Sequence, residues 1–119
     1  MTQDSSRPVF VAGSTFDDNI ATIAGGAIAS IGIAPTGDVS GSIAGSSFTA
    51  NDVTGFYAGG ANTGGAAVWH YAHDLQVSGS VFRNNGHRFV DGDPESLGSA
   101  ILIANEGSRL TVSASSFSG

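Results

Sequence analysis

Lysine and cysteine are absent from this 119-residue chain, and charged side chains make up only 12% of it. Without cysteine there is no disulfide framework to staple a small fold. The four arginines at positions 7, 83, 88 and 109 form no basic stripe, and the formal net charge is -6. Nucleic acid is therefore not an expected partner. No stretch approaches the roughly 18 apolar residues that cross a bilayer, so no membrane insertion by this chain is expected. Residues 1 to 8 lack a hydrophobic signal core, so the chain either stays in the cytoplasm or has lost an export signal. Helix is not expected either, because glycine and serine are the commonest residues and glycine recurs along the whole chain. Disorder is excluded, because 40% of the residues are hydrophobic.

What is present is a repeat. Phe16-Asp17-Asp18-Asn19, Phe48-Thr49-Ala50-Asn51 and Phe82-Arg83-Asn84-Asn85 are three copies of Phe-x-x-Asn, and Phe117 opens a fourth. The phenylalanines stand 32, 34 and 35 residues apart. A small-residue step precedes each: Gly13-Ser14, Gly45-Ser46, Gly79-Ser80 and Ala114-Ser115. A second block follows each of the first three: Gly25-Gly26-Ala27-Ile28, Gly64-Gly65-Ala66-Ala67 and Gly98-Ser99-Ala100-Ile101. Self-similarity at this period is the mark of a solenoid.

Alternation in Leu75-x-Val77-x-Gly79 and Leu110-x-Val112-x-Ala114 predicts strands with one buried face. Phe82 stands an odd number of residues beyond Gly79, so a bend at Gly-Ser is needed for Val77 and Phe82 both to point inward. The asparagine three residues after each phenylalanine then has two jobs: it tolerates left-handed backbone, and its side chain bonds groups that a tight corner strands. Stacked, Asn19, Asn51 and Asn85 form a ladder beside a column of Phe16, Phe48, Phe82 and Phe117. In the second block we align Ala27 with Ala66 and Ala100, Ala29 with Val68 and Leu102, and Ile31 with His70 and Ala104. That set is the more apolar and is expected inside.

The fold expected is all-β: a right-handed, single-stranded parallel β-helix of about three and a half turns. Residues 1–8 are a polar tail or partial cap, and the turns run roughly 9–38, 39–74, 75–109 and 110–119. Residues 52–63 and 86–97 form two protrusions at one corner, the first guess for a binding surface.

Phe-x-x-Asn paired with Gly-Gly-Ala-Ile, one of each per turn across residues 9 to 119, resembles the repeat of the polymorphic outer-membrane proteins and related β-helix passengers of autotransporter adhesins. The resemblance implies an extracellular or cell-surface stalk with adhesive or matrix contacts, to a glycan or a host surface. The signal segment and membrane barrel of that family's full form are not expected within these 119 residues. Phe117 lacks its asparagine, so the chain is expected to be either part of a longer array or a unit that docks end to end, Leu110–Phe117 of one copy on Val9–Phe16 of the next.

Two clusters carry chemistry. Trp69-His70-Tyr71-Ala72-His73-Asp74 places Trp69, Tyr71 and His73 on one face of a strand and His70 on the other. That face either stacks on a sugar ring or covers the sheet beneath a neighbouring loop. No serine or acid is spaced to complete a triad with His73, so no catalytic role is expected. Asp91, Asp93 and Glu95 alternate in a loop, which suits Ca²⁺ or simply a solvated acidic turn. His70, His73 and His87 would bind a transition metal only by converging, which nothing in their spacing requires. The remaining alternative is a carbohydrate-binding or polysaccharide-cleaving β-helix using Trp69, Tyr71, His70, His73 and the Asp91–Glu95 loop. A stack about 15 Å tall gives such an enzyme little groove.

Overall fold

The computed structural model describes residues 2–4, 8–31, 41–54, 64–71, 74–87, 100–103 and 108–119. Among these the chain is all-β, with no helix. Strand β1 (Thr2–Asp4) precedes a first repeat of β2 (Phe10–Ala12), β3 (Thr15–Asp17), β4 (Ile20–Ala21) and β5 (Ile28–Ile31). The second repeat is β6 (Gly41–Ala44), β7 (Ser47–Thr49), β8 (Asp52–Val53) and β9 (Val68–Tyr71). The third is β10 (Leu75–Ser78), β11 (Val81–Arg83), β12 (Gly86–His87) and β13 (Ile101–Ile103), and a fourth begins with β14 (Leu110–Ser113) and β15 (Ser116–Ser118).

Four sheets result, each taking one strand from successive repeats: β2-β6-β10-β14, β3-β7-β11-β15, β4-β8-β12 and β1-β5-β9-β13. Every pairing between these strands is parallel. The register puts like on like: Val11, Ile43, Val77 and Val112 share one row, and Phe16, Phe48, Phe82 and Phe117 another. Alternation decides the faces, since Leu75 and Val77 are buried while Gln76 and Ser78 are exposed. The bend expected at glycine is present. Gly79 has φ 55°, and beyond it Phe82 turns inward beside Val77.

The second block differs from its sequence alignment. Ile28 pairs with Val68 and Val68 with Ile101, so Gly25-Gly26-Ala27-Ile28 corresponds to Gly65-Ala66-Ala67-Val68, one residue later than expected. The cause is steric. Gly25 and Gly65 both have φ 63°, and a Cβ on either would lie 2.1 Å and 2.3 Å from the carbonyl oxygen of Ile28 and Val68 respectively. A double glycine in the sequence hides which of the two fills that position. The inward set changes with the register in the first and third repeats, while Val68 and His70 stay inside as expected. Ile28 and Val68 are fully buried, with Ile101 packed on their cluster, and Ser30 and His70 are buried one step further along. Ala29 is only half-buried, and Leu102 lies outside that cluster.

Registers hold although the spacing between strands does not. Ile20 and Ile28 stand eight residues apart, Asp52 and Val68 sixteen, and Gly86 and Ile101 fifteen, yet each set lies in register.

Candidate functional site

The steps just before and after the phenylalanines hold Ser46, Ser80, Asn51 and Asp52, four of the six polar side chains buried among the described residues. Phe48 is wholly buried, and its ring stacks on Phe16 at 4.8 Å and on Phe82 at 4.7 Å, with interplanar angles of 6° and 0°. Phe117 extends the column onto Phe82 at 4.7 Å. The spacing is that of adjacent strands, so the parallel register itself imposes the stacking.

On one side of this column runs a serine ladder. Each hydroxyl donates to the carbonyl two residues back, as Ser46 Oγ does to Ala44 O at 3.0 Å, and accepts an N–H from the repeat before, as from Ser14 N at 3.2 Å. Ser80 and Ser115 repeat both bonds. On the other side runs the asparagine ladder. Asn19 N and Nδ2 donate to Asn51 Oδ1 at 3.2 Å and 2.8 Å, and Asn51 N and Nδ2 donate to Asn85 Oδ1 at 3.1 Å and 2.8 Å. Asn85 Nδ2 reaches back to Phe48 O at 2.9 Å. Buried Asn51 thereby satisfies its amide and the backbone of two neighbours.

One expectation about this corner is corrected. The left-handed residue is the one before each asparagine: Asp18, Ala50 and Asn84 all have φ 53°. Each donates its N–H to the next repeat, to Thr49 O, Arg83 O and Ser118 O. Left-handed backbone costs a non-glycine residue about 1–2 kcal/mol. Here it aims the following asparagine side chain along the stack.

Trp69 and Tyr71 share one face of β9 as alternation predicts, their rings stacked at 5.9 Å and 10°. Trp69 is only 8% exposed whereas Tyr71 is 37% exposed, so Tyr71 is the ring more open to solvent. The indole N–H of Trp69 is buried and finds no acceptor among the described residues. His70 points to the opposite face and is buried. His73, Asp91, Asp93 and Glu95 lie outside the described residues, as does the side chain of His87. Among the described residues no group of three or more His, Cys, Asp or Glu side chains comes together.

At the fourth repeat, Leu110, Val112 and Phe117 are 38%, 43% and 48% exposed, whereas Val9 and Val11 at the first are buried. A cavity of about 370 Å³ beside Phe117 is lined by Phe82, Asn85, Ala100, Ser118 and Gly119. No family model, curated protein or solved structure matches this chain. Among the described residues no helix is long and apolar enough to cross a membrane.

Sequence reasoning overlooked the buried carboxylate of Asp52 and the left-handed residues Asp18, Ala50 and Asn84. No motif flags Asp52. The left-handed residues had a signal, the fixed place before each asparagine, but their side chains share no chemistry.

Proposed function

We propose that the four sheets are the faces of a right-handed parallel β-helix and that the chain is a structural module of an extracellular or cell-surface stalk. What carries this reading is the unbroken column of Phe16, Phe48, Phe82 and Phe117 flanked by serine and asparagine ladders. Such a stack puts its strongest groups to work on itself, repeat upon repeat, which suits load-bearing rather than turnover. Right-handed crossovers are the overwhelming rule for parallel strands in a sheet, and here every sheet is parallel. The likeness of Phe-x-x-Asn and Gly-Gly-Ala-Ile to the polymorphic outer-membrane and autotransporter adhesin repeats points the same way.

Two features favour end-to-end contact. The outer edges of β14 and β15 meet no further strand among the described residues, and three apolar side chains beside them are exposed. At the other end Val9 and Val11 are covered, so contact there would run through the strand edges of β2 and β3 and the ring of Phe16. Light scattering over a concentration series, with electron microscopy, tests this. Fibres support head-to-tail assembly, and a monomer at every concentration removes it and leaves the stalk reading.

A glycan-binding role is the second reading, favoured by the Trp69–Tyr71 stack and weighted toward Tyr71 by its exposure. Loss of binding on a glycan array in Tyr71→Ala supports it, and unchanged binding, or none in the parent, discards it. Calcium at Asp91, Asp93 and Glu95 belongs to the same reading. A melting temperature unmoved by chelator would remove it.

A further inference from the structure

The sequence contains one Asn-Gly pair, Asn85-Gly86, and it falls on the ladder. In such a pair the following amide nitrogen meets no side chain on its own residue as it approaches the asparagine carboxamide. Asn19 and Asn51 occupy the same rung but are followed by Ile20 and Asp52, whose side chains crowd that approach. The repeat below holds both reacting groups of the third corner. Gly86 N–H donates to Asn51 O at 3.0 Å. Asn85 Oδ1 accepts from Asn51 N at 3.1 Å and Asn51 Nδ2 at 2.8 Å, while Asn85 Nδ2 donates to Phe48 O at 2.9 Å. Four hydrogen bonds thus commit the nucleophile and the electrophile to other partners.

We infer that Asn85-Gly86 is a site of spontaneous succinimide formation, held shut by its contacts with Phe48 and Asn51 and opened when the third repeat unstacks. Once released, the Gly86 amide loses its proton to solvent base and its nitrogen attacks Asn85 Cγ. The N–Cγ bond forms, the Cγ–Nδ2 bond breaks, and Nδ2 leaves as ammonia after taking a proton. Water then adds to one of the two ring carbonyls and breaks its bond to nitrogen, giving aspartate or isoaspartate. Nothing is oxidised or reduced: an amide and water become an acid and ammonia.

The product does not refit the corner. A carboxylate has no hydrogen to offer Phe48 O and would face that oxygen at the former bond distance. Isoaspartate also inserts a methylene into the main chain just before Gly86, whose register with Asp52 defines β12 on β8. Each conversion therefore leaves a lasting chemical record that the third repeat had opened.

The test is incubation at mildly alkaline pH, in buffer and in urea, with digestion and mass spectrometry reading position 85. Conversion in the folded chain is expected to be slower than in urea by at least about tenfold, the factor set by the free energy of local opening. Asn51→Ala removes the Nδ2 donor on Asn85 Oδ1 and should speed conversion in buffer about 5- to 150-fold. Gly86→Ala, whose new Cβ meets nothing within 4 Å, should fold and suppress conversion in urea. Equal rates in buffer and urea overturn the inference, as does an unreacted Asn85 in urea or a folded Asn51→Ala as slow as its parent. If Asn51→Ala does not fold, the parent decides: its rate should climb with urea through the unfolding transition, and a flat response overturns the proposal.

Discussion

Asn51 and Asn85 are joined twice, by the main-chain N–H of Asn51 and by its Nδ2, both on Asn85 Oδ1. The same Nδ2 also reaches Phe16 O at 3.1 Å, so one carboxamide ties three successive repeats together. A buried group bonded on both sides is costly to remove, because its former partners are left unmet.

Asn51→Ala is therefore expected to lose about 1–3 kcal/mol, and more where the stranded groups cannot reach water. Thr49→Ala, two residues away on the half-buried outer row, should stay within about 0.5 kcal/mol. Thermal melts of the two variants check this, and coincident curves would count against the ladder as a stabilising element.

The phenylalanine column should be uneven in its energetics. Phe48 is fully buried between two rings, so Phe48→Ala should cost about 3–5 kcal/mol. Phe117 has one stacking partner and is 48% exposed, so Phe117→Ala should cost about 1 kcal/mol or less. Urea titrations with matched slopes give the comparison.

Two glycines with similar dihedrals should respond differently. Gly45 has φ 54° with open space where a Cβ would go, and Ala114 occupies the equivalent position in the fourth repeat at φ 46°. Gly45→Ala should cost about 1–2 kcal/mol. At Gly25 the new Cβ would lie 2.1 Å from a backbone oxygen, adding about 1–3 kcal/mol more. Equal losses in urea titration would show that backbone strain alone sets the cost.

Trp69→Phe removes an indole N–H that is buried without an acceptor among the described residues, offsetting part of the lost packing. The variant should remain within about 1 kcal/mol of the parent, whereas Trp69→Ala should lose about 3–5 kcal/mol. Denaturation followed by far-ultraviolet circular dichroism avoids reliance on the tryptophan signal.

Where the sequence was legible, one residue type had one job at a fixed place. Phe16, Phe48 and Phe82 need the same buried volume in each repeat, and Asn19, Asn51 and Asn85 need the same donor and acceptor, so the column and ladder could be read from spacing alone. Where several residue types satisfy the geometry, reading failed. Gly64 and Gly65 are identical letters, yet it is Gly65 that sits where a Cβ would strike the Val68 carbonyl, and that one-residue slip pairs His70 with Ser30 and Trp69 with Ala29. Asp18, Ala50 and Asn84 share a backbone conformation and no side-chain chemistry, so nothing in their letters announced it. Of the aromatic pair, the shared face was legible from alternation, but burial of Trp69 depends on what packs over it.

Registers survive although the residues between the Ile20–Asp52–Gly86 row and the Ile28–Val68–Ile101 row more than double, from 7 in the first repeat to 15 in the second. Growth or loss of sequence in that interval leaves the stacked side chains where they are. The backbone therefore behaves as a chassis onto which new peptide can be grafted between Val53 and Gly64. Length in that interval and order in the stack can then vary independently in such a chain.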